Sequence, residues 1–183
     1  NKLDTLQVNN LQELCKHYLF SNTKKAINFG NQSLQLSEVI KYKKGVAKAL
    51  HYIGIAYYNE GNYDSALRFF NNSVVIKNAI GDKKGMASSF NNIGNIYTQQ
   101  GNAQKGLGFY LSSFKINEQL KNYEGALSGA INIGGILCDQ HNLQGAIKFY
   151  RIGLDYAVKA NNIIGIADAY HNLGDIKHRQ KLN

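Results

Sequence analysis

Proline is absent from the 183 residues, which excludes collagen-like, polyproline and Pro-rich linker architectures and leaves nothing that compels a helix to break. Cysteine occurs only at Cys15 and Cys138, too sparse for a disulfide scaffold and too isolated for a zinc site. No apolar run approaches the roughly 18 residues of a membrane span, so this segment is not expected to insert into a membrane. There is no signal-peptide core, and the chain opens on Asn1 rather than methionine, the pattern of a processed or excised piece. Acidic residues are few: 12 Asp and Glu face 21 Lys and Arg, for a formal net charge of +9. That sign keeps nucleic acids and anionic surfaces in view until the cations are located. Apolar residues reach 44%, enough for a continuous core and against wholesale disorder.

What is present is an internal repeat. A shift of forty residues aligns Gly45, Gly85, Gly125 and Gly165, and likewise Gly54, Gly94, Gly134 and Gly174. Asn22, Asn62, Asn102 and Asn142 form a third column, and Phe29, Phe69, Phe109 and Phe149 a fourth. Between 43–82 and 83–122, 13 of 40 positions are identical, where average composition gives roughly two or three. The units run 3–42, 43–82, 83–122, 123–162 and 163–183, the first degenerate and the last cut after one helix.

Inside each unit the apolar spacing is helical. Ile53, Ala56 and Tyr57, then Leu67, Phe70 and Val74, recur at three and four residues and so lie on one stripe. The Glu60-Gly61-Asn62-Tyr63 stretch between them suits a left-handed helix stop followed by an asparagine cap. The pattern predicts helices near 3–20, 23–40, 44–60, 63–80, 84–100, 103–120, 124–140, 143–160 and 164–180, paired antiparallel. Glycine in mid-helix, as at Gly94, costs about 1 kcal/mol against alanine. Close backbone approach would account for it, with Gly54 facing Ala66, Gly94 facing Gly106 and Gly134 facing Ala146.

These residues resemble the tetratricopeptide repeat. Leu50, Ile53-Gly54, Tyr57, Ala66, Phe70 and Ser73 match its pattern, and Phe90, Ile93-Gly94, Tyr97, Gly106, Tyr110 and Ser113 match it again. Ile133-Gly134, Ala146, Tyr150 and Gly153 follow, then Tyr170 and Leu173-Gly174; in the first unit Leu14 replaces the glycine. The resemblance implies an all-α, right-handed superhelix (α-solenoid) of antiparallel helix pairs, about nine helices in all. The forty-residue form is similar to the N-terminal repeat regions of bacterial sensor histidine kinases and to Pins-type scaffolds. It implies a peptide or protein partner in the concave groove and no catalysis, cofactor or metal. The compartment stays open: periplasmic if the segment precedes a membrane-bound kinase, cytoplasmic otherwise.

In that family the first helix of each pair lines the groove. Two residues before the helix glycine stand Gln12, Tyr52, Asn92, Asn132 and Asn172. An asparagine amide matches one peptide C=O and one N–H, so Asn92, Asn132 and Asn172 read as a ladder for an extended chain. The alternative is that an Asn-rich composition merely fills exposed helix positions. Neighbouring columns add His51, Asn91 and His171, then Asn95 and Asp175, with Lys48 a turn earlier. The face is mixed, basic at one end and acidic at the other, which suits a peptide better than a polyanion. Of its repeated columns only Lys48 is cationic, and arginine is confined to Arg68, Arg151 and Arg179, so nucleic acid is not an expected partner. Lys41, Lys77 and Lys121 lie near second-helix ends, where lysines favour the macrodipole and solubility. His171, Asp175 and His178 share one helix face but recur in no other unit, so they read as a solvated polar surface rather than a metal site. An unpaired apolar edge on the end helices predicts self-association.

Overall fold

The computed structural model describes residues 2–181. Nine helices and no strand occur among them: α1 (Lys2–Tyr18), α2 (Thr23–Val39), α3 (Lys43–Asn59), α4 (Tyr63–Ala79), α5 (Lys83–Gln99), α6 (Ala103–Gln119), α7 (Tyr123–Asp139), α8 (Leu143–Lys159) and α9 (Ile163–Lys181). The chain is all-α, built of helical hairpins, and each expected helix is found within a residue or two of its predicted ends. The end of the last unit, Leu182-Asn183, where the ninth helix would be either capped or cut, lies outside the described residues.

The turns explain how 17-residue helices can follow one another with three residues between. Gly61 takes φ 74°, its N–H reaches the Tyr58 carbonyl at 2.9 Å, and the Asn62 N–H reaches the Tyr57 carbonyl at 2.9 Å. This pair of bonds closes a helix through a left-handed residue. Asn62 then caps the next helix, its Oδ1 accepting from the Ser65 N–H at 3.1 Å. Asn22, Asn102 and Asn142 cap in the same way, at 3.0, 3.2 and 3.0 Å. One residue ends one helix and starts the next. Where glycine is missing from the left-handed position, Lys41, Lys121, His141 and Asn161 occupy it with φ of 52–58°.

The chain divides into two compact units between Ile96 and Tyr97, inside α5. In the first, α1 packs on α2, α2 on α3, α3 on α4, and α1 on α3. Cys15, Leu19, Ala26 and Ala56 form a buried cluster there, and Ile53 and Phe70 are fully buried. Tyr57 and Phe69 stack at 5.4 Å across their hairpin. Polar stitches join consecutive hairpins: Gln12 Nε2 donates to the Gly45 carbonyl at 3.0 Å and Asn59 Nδ2 to the Leu19 carbonyl at 2.8 Å. In the second unit α6 packs on α7, α7 on α8, α8 on α9, and α7 on α9. Tyr110, Phe114, Ala126, Ala130, Ile133 and Ile136 form one of its cores, and Cys138, Ala146, Tyr150 and Ile176 another. Tyr97 and Phe109 repeat the ring stack at 5.5 Å. Both cysteines are free and buried.

The mid-helix glycine has a different cause from the one expected. A Cβ on Gly54 would meet not Ala66 but the ring of Phe70, 2.8 Å from Cε1. A Cβ on Gly134 would meet the ring of Tyr150. The close approach is therefore of an aromatic side chain, one turn further along the returning helix, into the hollow left by the missing Cβ. At Gly174 nothing lies within 4 Å.

Candidate functional site

On the first helices of unit one, α3 and α5 bring their N-terminal turns together around an open cavity of about 480 Å³. Lys44, Lys48, His51 and Tyr52 come from α3, Lys84, Gly85 and Ser88 from α5, and Lys77 and Asp82 from the end of α4 and its turn. Lys48, His51 and Tyr52 of the expected groove columns thus converge, with Ser88 one repeat on from Lys48. Lys48 Nζ also stands 3.6 Å from Glu13 Oε1 and 5.6 Å from the centroid of the Tyr52 ring.

The cavity floor is a hydrogen-bonded chain. Lys77 Nζ donates to Ser89 Oγ at 2.9 Å, and Ser89 Oγ lies 3.1 Å from His51 Nδ1. On the other side of the ring, His51 Nε2 lies 3.4 Å from Ser88 Oγ. Burial pushes the His51 imidazole down to about 3, and the Lys77 charge adds to the effect, so the ring is neutral at neutral pH. Burial likewise lowers the Lys77 ammonium to about 8, with Asp82 opposing. Tyr52 packs against the Cys15 and Ala56 cluster, and burial raises its phenol. Asp82 is held on its own helix, its Oδ1 accepting from the Gly85 N–H at 2.9 Å.

Several positions differ from the reading of the columns. His51 is buried between α3, α5 and the Phe70 ring, whose centroid is 5.5 Å away, and presents only an edge to the cavity. Gln12 is buried with its amide given to the Gly45 carbonyl, so the asparagine column has no open counterpart on α1. Lys77 is not a solvated helix-end cation; it is 4% exposed. The sequence signal for it was its column, Ser37, Lys77, Asn117 and Ala157, every member of which is buried. Three of those side chains are short or uncharged, and only Lys77 carries a charge into that place.

Asn91, Asn92 and Asn95 lie on α5, half-buried. Asn132 on α7 and Asn172 on α9 are half-buried on neighbouring helices of unit two. His171 and Asp175 are exposed on α9, with Nε2 and Oδ2 3.6 Å apart. Among the described residues no group of three His, Cys, Asp or Glu could hold a metal ion. No helix among them is long and apolar enough to cross a membrane.

Comparison with known proteins places this geometry. A tetratricopeptide repeat model matches residues 45–119. No curated protein matches the chain in sequence. Among solved structures, aspartyl phosphate phosphatase F from Bacillus subtilis superposes with a TM-score of 0.86 at 13% identity, over 90% of this chain and 44% of its own. A Rap protein complexed with competence and sporulation factor gives 0.81 at 12% identity, over 92% of this chain and 52% of its own. A STAND protein with a tetratricopeptide repeat sensor from Pyrococcus horikoshii gives 0.79 at 17% identity, over 93% of this chain and 27% of its own. The chain therefore spans about half the length of the first two and less of the third, and likeness at such identity is likeness of fold. Residues 45–119 thus carry tetratricopeptide repeats, within a helical-hairpin fold that the chain shares with these solved structures.

Proposed function

We propose that the chain is a non-catalytic module that binds an extended peptide or protein segment along its first-helix face. The observation that carries this reading is the open cavity of unit one. It is lined from the columns of Lys48, His51 and Tyr52, and the same face carries the half-buried amides of Asn91, Asn92 and Asn95. In unit two the same columns supply Asn132, Asn172, His171 and Asp175. Three amide pairs at 0.5–1.5 kcal/mol each supply only a few kcal/mol. Side-chain pockets must add the rest, so affinity of about micromolar order is expected. Against chemistry on this face stands the burial of its one relay. Ser89, which touches both His51 and Lys77, is fully buried, and no substrate reaches its hydroxyl.

The setting we infer is the sensory or regulatory repeat region of a larger bacterial signalling protein of the histidine-kinase kind. Two similar folds support a ligand-responsive role, one in a complex with competence and sporulation factor and one described as a sensor. The test is selection of peptides from a random library on the full chain, followed by amide-shift mapping. Shifts centred on residues 48–52, 88–95, 132 and 172 are expected. Failure to select any peptide, or shifts confined to the outer faces of α2, α4, α6 and α8, overturns the reading.

A second reading, a scaffold that self-associates through its end helices, is favoured by exposed apolar side chains there. Leu3 and Leu6 on α1 are 76% and 58% exposed, and Ile163 and Ile164 on α9 are 81% and 76% exposed. Sedimentation equilibrium decides it: a dimer that Leu3→Ser with Ile164→Ser returns to monomer supports this reading, and a monomer at all concentrations removes it.

A further inference from the structure

The cavity of unit one has a chemistry that a general peptide groove does not call for. Four lysines line it against the single carboxylate of Asp82, and that carboxylate is engaged by the Gly85 N–H. Even with Glu13 near Lys48, the lining carries an excess of two to three positive charges. One of these cations, Lys77, is buried, and a buried ammonium with so little compensation is costly unless an anion joins it.

The other polar groups also present donors. Lys77 can only donate, so Ser89 accepts from it and leaves its hydroxyl hydrogen for His51 Nδ1. The ring proton of the neutral imidazole then sits on Nε2, the nitrogen nearer Ser88. The cavity also lies at the first turns of two helices, α3 and α5. The N-terminal dipole end of α3 favours negative charge, while at α5 the Asp82 carboxylate already takes that place. No side-chain hydrogen bond caps α3 at Tyr42.

We propose that this cavity binds a phosphate monoester, held by Lys44, Lys48, Lys77 and Lys84 with Ser88 and the edge of His51. The ligand class follows from charge and hydrogen-bond type together. A phosphate monoester brings close to two negative charges at neutral pH and oxygens that only accept, matching a lining that, Asp82 apart, presents donors with two to three charges in excess. A lone carboxylate offers half that charge. A phosphorylated peptide and a small phosphate ester both carry this group, and the cavity's recognition of the phosphoryl group is the same for both. This goes beyond the peptide-groove reading and needs none of the ladder asparagines.

The experiment titrates the full chain, in chloride buffer, with inorganic phosphate, glycerol phosphate, acetate, and a phosphoserine peptide beside its unphosphorylated twin. Amide shifts of Gly85, Ser88 and Ser89 are followed throughout. Saturable shifts with each phosphate, and acetate weaker by about tenfold or more, are expected. Lys44→Gln with Lys84→Gln, both exposed positions, should weaken phosphate by about tenfold or more with helicity unchanged. Lys77→Met, if it folds, should do the same. A phosphopeptide about tenfold tighter than glycerol phosphate assigns the ester to a partner chain; equal affinities assign it to a small molecule. The proposal is overturned if phosphate gives no saturable shift at these amides, if acetate binds as tightly, or if the double glutamine variant binds like the parent. Loss of phosphate binding with peptide selection intact, or the reverse, separates the two readings.

Discussion

Replacing Gly54 by alanine sets two known effects against each other. A helix-interior Gly→Ala change gains about 1 kcal/mol of propensity. The new Cβ, however, would stand 2.8 Å from Cε1 and 2.9 Å from Cδ1 of Phe70. That ring is fully buried and cannot retreat without opening the α3–α4 contact. Overpacking of this kind costs about 1–3 kcal/mol, so Gly54→Ala should lose up to about 2 kcal/mol net. Gly174→Ala supplies the control, because no heavy atom lies within 4 Å of its Cβ position and the propensity gain should appear alone. Both variants gain the same propensity, so the gap between them, about 1–3 kcal/mol, isolates the steric term. Urea unfolding followed by helical circular dichroism measures it. Adding Phe70→Leu to Gly54→Ala should recover part of the loss, a coupling that a double-mutant cycle reads directly. If Gly54→Ala stabilises as much as Gly174→Ala, or shows no coupling to Phe70, the ring-in-hollow account is wrong.

Other consequences are equally concrete. His51 is held at about 3 in the folded chain against about 6.5 unfolded, so the unfolded state binds more protons between those values. Stability should therefore fall as pH drops from 6.5 toward 3, and His51→Gln should flatten that limb of the urea midpoint. Lys77 is lowered from 10.5 to about 8, so stability should rise as pH climbs through that window, and Lys77→Met should abolish the rise. Lys121→Gly, at φ 53°, relieves a left-handed side chain and should raise the melting temperature, by an amount equivalent to about 0.5–2 kcal/mol. Asn62→Ala removes the cap on α4 and should cost about 1 kcal/mol; no change in the urea midpoint would deny the cap its role.

The fold was legible because its signals are local. Glycine or asparagine at the turn and a hydrophobic stripe at helical spacing each act within a few residues, so the helix ends fell within a residue or two of those observed. What faces what across a hairpin was less legible. Ala66 and Phe70 lie one turn apart on the same stripe of α4, and periodicity does not carry the axial offset that sets Phe70 over Gly54. The candidate site was legible by column for Lys48, His51 and Tyr52, because first-helix positions repeat. Lys77 escaped because a lysine near a helix end ordinarily snorkels to water. Its burial depends on Gly85, where a side chain would run into Asp82 and the Lys77 stem. That contact joins residues of different helices, and its trace along the chain, the column of Gly45, Gly85, Gly125 and Gly165, does not name the partner each glycine meets.

The central claim is that the amides of the first-helix face hold another chain, and a paired substitution tests it most directly. Isothermal titration of a selected peptide against Asn92→Ala/Asn132→Ala/Asn172→Ala should show binding lost or weakened by at least about tenfold, three hydrogen-bond contributions removed together. Asn71→Ala/Asn72→Ala, on the exposed side of α4, should bind like the parent. Equal affinity in the triple variant, with helicity retained, would contradict the account.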